Sequence, residues 1–312
     1  MTAPLRIVFF GTPAFAVPTL EALLASRHPI VGVVTQPDRP RGRGQKPSSA
    51  PIKALAETRG LPILQPDRLK DPAFLAAFTG WNAELGVVAA YGRIIPEVVI
   101  NTPARGLINV HASLLPRYRG AAPVQRAVLN GDAETGVTIM RIVKELDAGA
   151  MFASVVRPID PDATSGDVED DLARAGARLL VDVIDGIAAG AARETPQDGA
   201  AATYAAKITR DESPIDWTRP ASALHNQVRG LMPWPRASAM LDGHRLILLR
   251  TTPEPGSGER PGVVVEAEGD RLRVATGDGI LRILEIQPEG RRALTAREFL
   301  AGHRINPGTS LR

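Results

Sequence analysis

Cysteine is absent from the chain of 312 residues. The protein therefore has no disulfide, no thiolate nucleophile and no metal bound through a cysteine sulfur. Its five histidines also lack the close spacings, such as H-E-x-x-H, that zinc-binding motifs use. We expect chemistry that runs without a metal ion.

Long apolar runs are absent as well. No segment approaches the roughly 20 consecutive apolar residues that span a bilayer, and the amino terminus has no signal-peptide layout. We therefore expect a cytoplasmic protein and take a monomer as the default. The chain is longer than a usual single domain, so we expect two domains, and its hydrophobic content of 44% is enough to fill their cores.

The amino-terminal part has the pattern of an α/β sheet but lacks two common nucleotide fingerprints. It contains neither G-x-G-x-x-G nor G-x-x-x-x-G-K-[ST], so we infer no dinucleotide site and no NTPase. Short runs rich in Val and Ile, separated by segments long enough for helices, are typical of parallel strands buried on both faces. These runs lie at residues 5–10, 30–35, 85–90, 107–110 and 137–143. The pattern predicts an α/β fold with a Rossmann-like, mostly parallel sheet.

The carboxyl-terminal part has a different pattern. Thr164 and Ser165 begin an amphipathic helix that continues to about Gly190, and the aperiodic stretch after it is typical of a linker. Five short strands follow and predict a small β-barrel resembling an OB-fold. They lie at residues 237–241, 245–249, 262–266, 272–275 and 281–286. We expect domains at 1–189 and 207–312, joined by a linker at 190–206.

Two polar side chains occupy the end of the fourth apolar run. Asn109 and His111 are two positions apart, so a strand points them to the same side, at the carboxyl end where open parallel sheets bind ligands. Asp147 reaches the same crevice if the fifth run ends beside the fourth. Taken singly, each residue is more often structural than catalytic. Together, the Asn amide and a protonated His are donors for an oxyanion, and the Asp keeps the His charged.

The loop after His111 reads A-S-L-L-P-R-Y-R-G. Ser113 is not surrounded by a G-x-S-x-G elbow, so we expect direct attack by an acceptor rather than a serine nucleophile. Pro116 fixes the backbone, the two leucines offer an apolar wall for a flat ring, and the two arginines offer forks for carboxylate or phosphate. The loop and the polar residues before it are typical of an acyl-transfer site.

Positive charge is concentrated in one segment, although the formal net charge is only +3. Residues 39–46 read R-P-R-G-R-G-Q-K. One interpretation is a solvated surface loop. The other is a flexible arm that follows the phosphates of a nucleic acid, in which case binding depends on salt.

Several motifs resemble those of a known family. The runs N-V-H-A-S-L-L-P-R-Y-R-G and L-D-A-G resemble the signature of folate-dependent formyltransferases. Enzymes that formylate glycinamide ribonucleotide or sugars, or that hydrolyse the donor, share this signature, so it indicates the chemistry and not the acceptor. Further motifs resemble the branch of the family that acts on methionyl initiator tRNA. They are T-Q-P-D-R-P-R-G-R-G, G-A-A-P-V-Q-R-A, G-D-A-E-T-G-V-T-I-M, I-D-W, P-W-P and A-T-G-D-G-I-L.

The resemblance implies a role for each matching residue. The donor would be 10-formyltetrahydrofolate, with no metal, and the acceptor the α-amino group of methionine on initiator tRNA. Asn109, His111 and Asp147 would be the catalytic set. The folate-contacting residues would be Ser113, Leu114, Leu115 and Pro116. The tRNA-binding residues would be Arg39, Arg41, Arg43 and Lys46, with the carboxyl-terminal barrel holding the tRNA from the side.

Two other functions stay open at this point. One is a formyl transferase or hydrolase that acts on a sugar nucleotide or on water. The basic loop and the barrel-like second half speak against it. The other is a tRNA-binding module whose active site is vestigial, which the intact set of Asn109, His111 and Asp147 disfavours.

Overall fold

The helices and strands were located in a computed structural model that describes residues 3–41, 46–256 and 259–312. In chain order the helices α1 to α8 are Val17–Ala25, Pro51–Thr58, Pro72–Gly80, Glu97–Ile100, Pro123–Asn130, Ser165–Ala188, Ala221–Gly230 and Ala296–Gly302. The strands β1 to β17 are Ile7–Gly11, Ile30–Val34, Arg39–Arg41, Lys46–Ser48, Ile63–Leu64, Leu85–Ala89, Leu107–His111, Arg119–Gly120, Glu134–Arg141, Met151–Pro158, Tyr204–Ala205, Ala237–Leu241, His244–Glu254, Val264–Glu268, Arg271–Ala275, Ile280–Pro288 and Leu294–Thr295. Within these ranges, no helix has the length and apolarity needed to cross a membrane.

A seven-stranded sheet forms the amino-terminal part, in the order β10-β9-β7-β6-β1-β2-β5. Strand β1 pairs in parallel with β2 and β6, and β6 pairs in parallel with β7. All residues of β1 and β6 are buried, as expected for apolar strands covered on both faces. The predicted mostly parallel α/β sheet is confirmed.

Strand β9 differs from the prediction. Residues 137–143 were expected to form a further parallel strand, but β9 runs antiparallel to β7, with Arg141 opposite Ile108 and Thr138 opposite His111. A buried apolar run has the same composition in either direction, so the local pattern does not encode the orientation. The carboxyl end of β9 therefore lies beside the start of β7, and the loop 142–150 has to return towards His111.

The carboxyl-terminal part has its own antiparallel sheet, in the order β12-β13-β16-β15-β14, with β17 on β16. Strands β15 and β16 form a hairpin in which Ala275 is opposite Ile280. The core beneath the sheet is apolar, and its largest members include Trp217, Leu248 and Phe299. An antiparallel carboxyl-terminal β domain after an α/β domain agrees with the predicted fold class.

Contacts divide the chain into two compact units. Unit 1 contains residues 1–120, 135–158 and 169–205, and unit 2 contains 121–134, 159–168 and 206–312. Helix α5 therefore groups with the carboxyl-terminal sheet, whereas the segment 190–205 groups with the amino-terminal one. The expected division into domains at 1–189 and 207–312, with a linker at 190–206, stays a prediction.

Candidate functional site

Strand β7 carries the first two polar residues of the site. Asn109 and His111 are alternate residues of this strand, so both side chains project from one face of the sheet. His111 is buried, whereas Asn109 is partly exposed. Among the described residues, no group forms a hydrogen bond with the Asn109 amide. Its N–H groups are therefore available to an oxygen atom of a ligand.

The His111 ring is oriented by a backbone carbonyl. Its Nε2 atom lies 3.0 Å from the carbonyl oxygen of Tyr118. A carbonyl oxygen only accepts, so Nε2 carries a proton and donates it in this contact. The other nitrogen, Nδ1, lies 3.8 Å from Oδ2 of Asp147. Nδ1 is therefore the ring nitrogen that faces the Asp147 carboxylate.

Asp147 lies in the loop 142–150 and has a left-handed backbone, with φ of 48°. Its Oδ2 atom accepts a hydrogen bond of 2.8 Å from the backbone N–H of Gly120. Gly120 itself has φ of 116°, and a Cβ there would lie 2.8 Å from the carbonyl oxygen of Ala205. The loop containing Asp147 and the loop containing Tyr118 thus meet at one carboxylate.

Gly149 allows the Asp147 loop to turn back against β9. A Cβ atom at this position would overlap the carbonyl oxygen of Arg141, which belongs to the backbone and cannot move aside. We expect Gly149→Ala to lower the free energy of unfolding by about 1–3 kcal/mol, because overpacking forces backbone shifts, and to displace Asp147. Thermal denaturation and initial rates would measure both effects.

Gly199→Ala is the matched control for this variant, since nothing lies within 4 Å of a Cβ added at Gly199. Its melting temperature should equal that of the wild type. Equal melting temperatures for the two variants would show that the loop tolerates the methyl group, contrary to the close approach described.

The loop from Ser113 to Pro116 follows β7 directly. Ser113 is fully buried, and its hydroxyl donates a hydrogen bond of 2.6 Å to the carbonyl oxygen of Arg117. The Thr138 hydroxyl donates to the Ser113 carbonyl oxygen at 2.8 Å and accepts from the Leu115 N–H at 3.2 Å. The serine hydroxyl is occupied within the loop and is not placed as a nucleophile. The folate contacts of residues 113–116 stay a prediction.

Hydrogen bonds also connect the carboxyl ends of three parallel strands. The Tyr91 carbonyl oxygen, just after β6, accepts from Thr12 Oγ1 at 3.2 Å and from Gln36 Nε2 at 2.8 Å. Thr12 follows β1, and Gln36 lies close after β2. The Tyr91 ring is buried in the core, and burial raises the pKa of its hydroxyl. Hydrogen bonds therefore fix the ends of β1, β2 and β6 relative to one another, at the edge of the sheet where α/β folds bind ligands.

Asp38, the residue just before the basic segment 39–46, is held by side-chain hydrogen bonds. Asp38 accepts a short hydrogen bond from Lys53 and one of 3.1 Å from Gln65, and these bonds lower the pKa of its carboxyl group. Strands β3 and β4 then pair antiparallel, with Arg41 opposite Lys46. Arg43 lies outside the described residues, as do the side chains of Arg39, Arg41 and Lys46, so their role in binding stays a prediction.

A further residue of the site, Gln197, has no sequence signal. It belongs to the aperiodic segment after α6, yet its side chain bonds to the backbone of Asp147 and to Arg119.

Within the described part of the chain, no cluster of three or more acidic or histidine side chains is arranged to hold a metal ion. The site thus combines an amide donor, an imidazole and a carboxylate without an activated nucleophile, as suits direct acyl transfer to a bound acceptor.

Both parts of the chain match models of known protein families. Residues 5–184 match the family model described as formyl transferase, and residues 207–304 match the formyl transferase C-terminal domain. The methionyl-tRNA formyltransferase of Moorella thermoacetica is 47% identical over 98% of this chain and 99% of that protein. The Heliobacterium modesticaldum protein of the same name is 46% identical over 97% and 99%. A solved structure with a similar fold is that of an N-formyltransferase from Helicobacter canadensis in complex with folinic acid and dTDP-3-aminofucose. Its TM-score is 0.67, and it is 18% identical over 89% of this chain and 98% of that chain.

Proposed function

Because the chain belongs to the formyltransferase family, we propose that it transfers the formyl group of 10-formyltetrahydrofolate to the free α-amino group of methionyl initiator tRNA. The product is N-formylmethionyl-tRNA for translation initiation, and the proposed compartment is the cytoplasm, where translation takes place. The observation that carries the acceptor is the 46–47% identity, over nearly the whole chain, to relatives named for this reaction.

The proposed reaction is a direct attack by the neutral amine. A bond forms between the amine nitrogen and the formyl carbon, and the carbonyl oxygen becomes an oxyanion. Asn109 donates an N–H to this oxygen, and Nδ1 of His111, when protonated, adds a charged donor. The intermediate then releases N10 of the folate. The proton lost by the attacking amine equals the one gained by N10, so no net acid or base is required.

Asp147 has two roles in this proposal. Its carboxylate, 3.8 Å from Nδ1, stabilises the imidazolium form of His111. It also relays the transferred proton through water between the amine and N10. Residues Ser113 to Pro116 contact the folate, and the carboxyl-terminal domain holds the tRNA while the chain acts as a monomer.

The test is formyl transfer by the purified protein from 10-formyltetrahydrofolate to a panel of acceptors. The panel contains methionyl initiator tRNA, methionyl elongator tRNA, a nucleotide-linked amino sugar and a sample without acceptor. Formylation of the initiator tRNA alone is the expected result. Sugar formylation would transfer the proposal to another acceptor, and folate turnover without acceptor would identify a hydrolase.

Arg43 provides a separate prediction about the tRNA. Arg43→Ala removes one cation from the segment of residues 39–46, so we expect weaker tRNA binding and unchanged folate affinity. The slope of log affinity against log salt should fall by about 1, since one phosphate contact is lost. Equilibrium tRNA binding at several salt concentrations measures this slope. An equal loss of folate affinity would contradict the separation of the two sites.

A further inference from the structure

The Gln197 carboxamide uses all of its hydrogen-bonding capacity within unit 1. Its Nε2 atom donates to the carbonyl oxygens of Asp147 and Gly149, both at 2.8 Å. Its Oε1 atom accepts from Nε and Nη2 of Arg119, at 3.0 and 2.8 Å. A carboxamide has two N–H donors and two acceptor lone pairs, so no capacity remains. Gln197 is partly buried between exposed neighbours, and the commitment of its whole side chain to these bonds indicates a specific task.

These four bonds connect two loops that already meet at the candidate site. Asp147 and Gly149 belong to the loop after β9, whereas Arg119 begins the short strand β8, at the end of the loop after β7. Arg119 is only 8% exposed, and the next residue, Gly120, donates its N–H to the Asp147 carboxylate. Gln197 therefore fixes the backbone of Asp147 relative to Arg119 and Gly120, and the Asp147 carboxylate contacts Gly120.

The backbone of Asp147 requires support of this kind. A non-glycine residue with φ of 48° is in a sparsely populated conformation. Hydrogen bonds to its own carbonyl and to that of Gly149 hold this conformation from outside the loop. The backbone two residues before Gln197 is held as well. Thr195 exchanges two backbone hydrogen bonds of 2.8 Å with Met151 at the start of β10.

We infer that Gln197 is a positioning residue for Asp147, and that its segment completes the reaction centre rather than serving as a passive linker. This inference rests on the proposed function for its kinetic consequence alone. Gln197 contacts no reacting atom in the proposed mechanism. It acts by setting the distance between the Asp147 carboxylate and Nδ1 of His111, on which support of the imidazolium depends.

Two substitutions at Gln197 separate its two sets of contacts. Gln197→Met has a similar length and removes all four hydrogen bonds. Gln197→Glu keeps the acceptor for Arg119 but replaces the N–H donors by an oxygen that faces two carbonyl oxygens. If the contacts with Asp147 and Gly149 matter, both variants lose activity. If Arg119 is the important partner, Gln197→Glu retains wild-type activity and the inference is overturned.

Steady-state kinetics with both substrates distinguishes positioning from general loosening. For Gln197→Met we expect kcat to fall about 10- to 100-fold, because small displacements of a reacting group have effects of this size, with each KM within about threefold of the wild type. Glu194→Gln is the matched control, since it removes the ion pair with Arg141 from the same segment and should leave kcat unchanged. A rise in KM at constant kcat, or an equal loss in the control, contradicts the inference.

Amide exchange of Gly120 gives a readout that does not depend on the acceptor. Its N–H is bonded to the Asp147 carboxylate, so a displaced Asp147 should make it exchange about tenfold faster in Gln197→Met, the size expected for the loss of one hydrogen bond. An unchanged exchange rate overturns the inference whatever acceptor the enzyme uses. Faster exchange in a protein whose wild type formylates no tRNA supports the positioning role and counts against the proposed acceptor.

Discussion

Asn109→Ala is expected to lower kcat about 100- to 1000-fold, the effect of removing one oxyanion donor, which corresponds to about 3 kcal/mol of transition-state stabilisation. The melting temperature should stay close to that of the wild type. Among the described residues the Asn109 amide has no hydrogen-bond partner, and the residue is partly exposed, so its loss leaves no buried polar group unsatisfied. Initial rates with both substrates saturating, together with thermal denaturation, measure the two quantities.

Asn109→Asp makes this test sharper. The aspartate side chain has nearly the same size as that of asparagine. It has no N–H donor, however, and it places a negative charge where the oxyanion develops. Its activity should be no higher than that of Asn109→Ala. A variant series in which kcat follows the melting temperature would instead assign Asn109 to the stability of β7 and remove it from the proposed mechanism.

The polar pair on β7 was predictable because it depends on a local rule. Alternation along a strand places Asn109 and His111 on one face whatever their neighbours are, and the structure has this arrangement. The parallel core strands were predictable for a similar reason, since burial on both faces leaves a continuous apolar run. Strand β10 was missed because none of its eight residues is buried: five are partly exposed and three are exposed, so it lacks the buried run of the core strands.

The surroundings of Asp147 were not predictable, because they depend on contacts between distant segments. The direction of β9 is set by its pairing with β7 and not by its composition. The four hydrogen bonds of the Gln197 side chain depend on how Arg119 and the loop 142–150 meet. A single glutamine in an aperiodic segment does not indicate such a meeting. Strand β13 also extends past its predicted end to Glu254, although Pro253 is a poor strand residue, because Pro253 pairs opposite Leu281.

The Asp147 carboxylate has two separable properties, its shape and its charge. As a hydrogen-bond acceptor it receives the Gly120 N–H at 2.8 Å, and as an anion it faces Nδ1 of His111 at 3.8 Å. Asparagine keeps an oxygen for the first contact and lacks the charge for the second. Asparagine also adopts left-handed backbone conformations more readily than most residues, so the φ of 48° remains accessible.

Asp147→Asn should therefore fold like the wild type and lose most of its activity. We expect kcat to fall about 100- to 10,000-fold, the range for loss of a group that supports proton transfer, because the imidazolium of His111 loses its counter-charge. Asp147→Ala should lose at least as much activity and also some stability, since the Gly120 N–H loses its acceptor and alanine is strained at a positive φ. Rates and melting temperatures of both variants test this order. Retention of kcat within about threefold in Asp147→Asn would show that the carboxylate acts through its shape alone, and would leave the oxyanion donors as the source of catalysis.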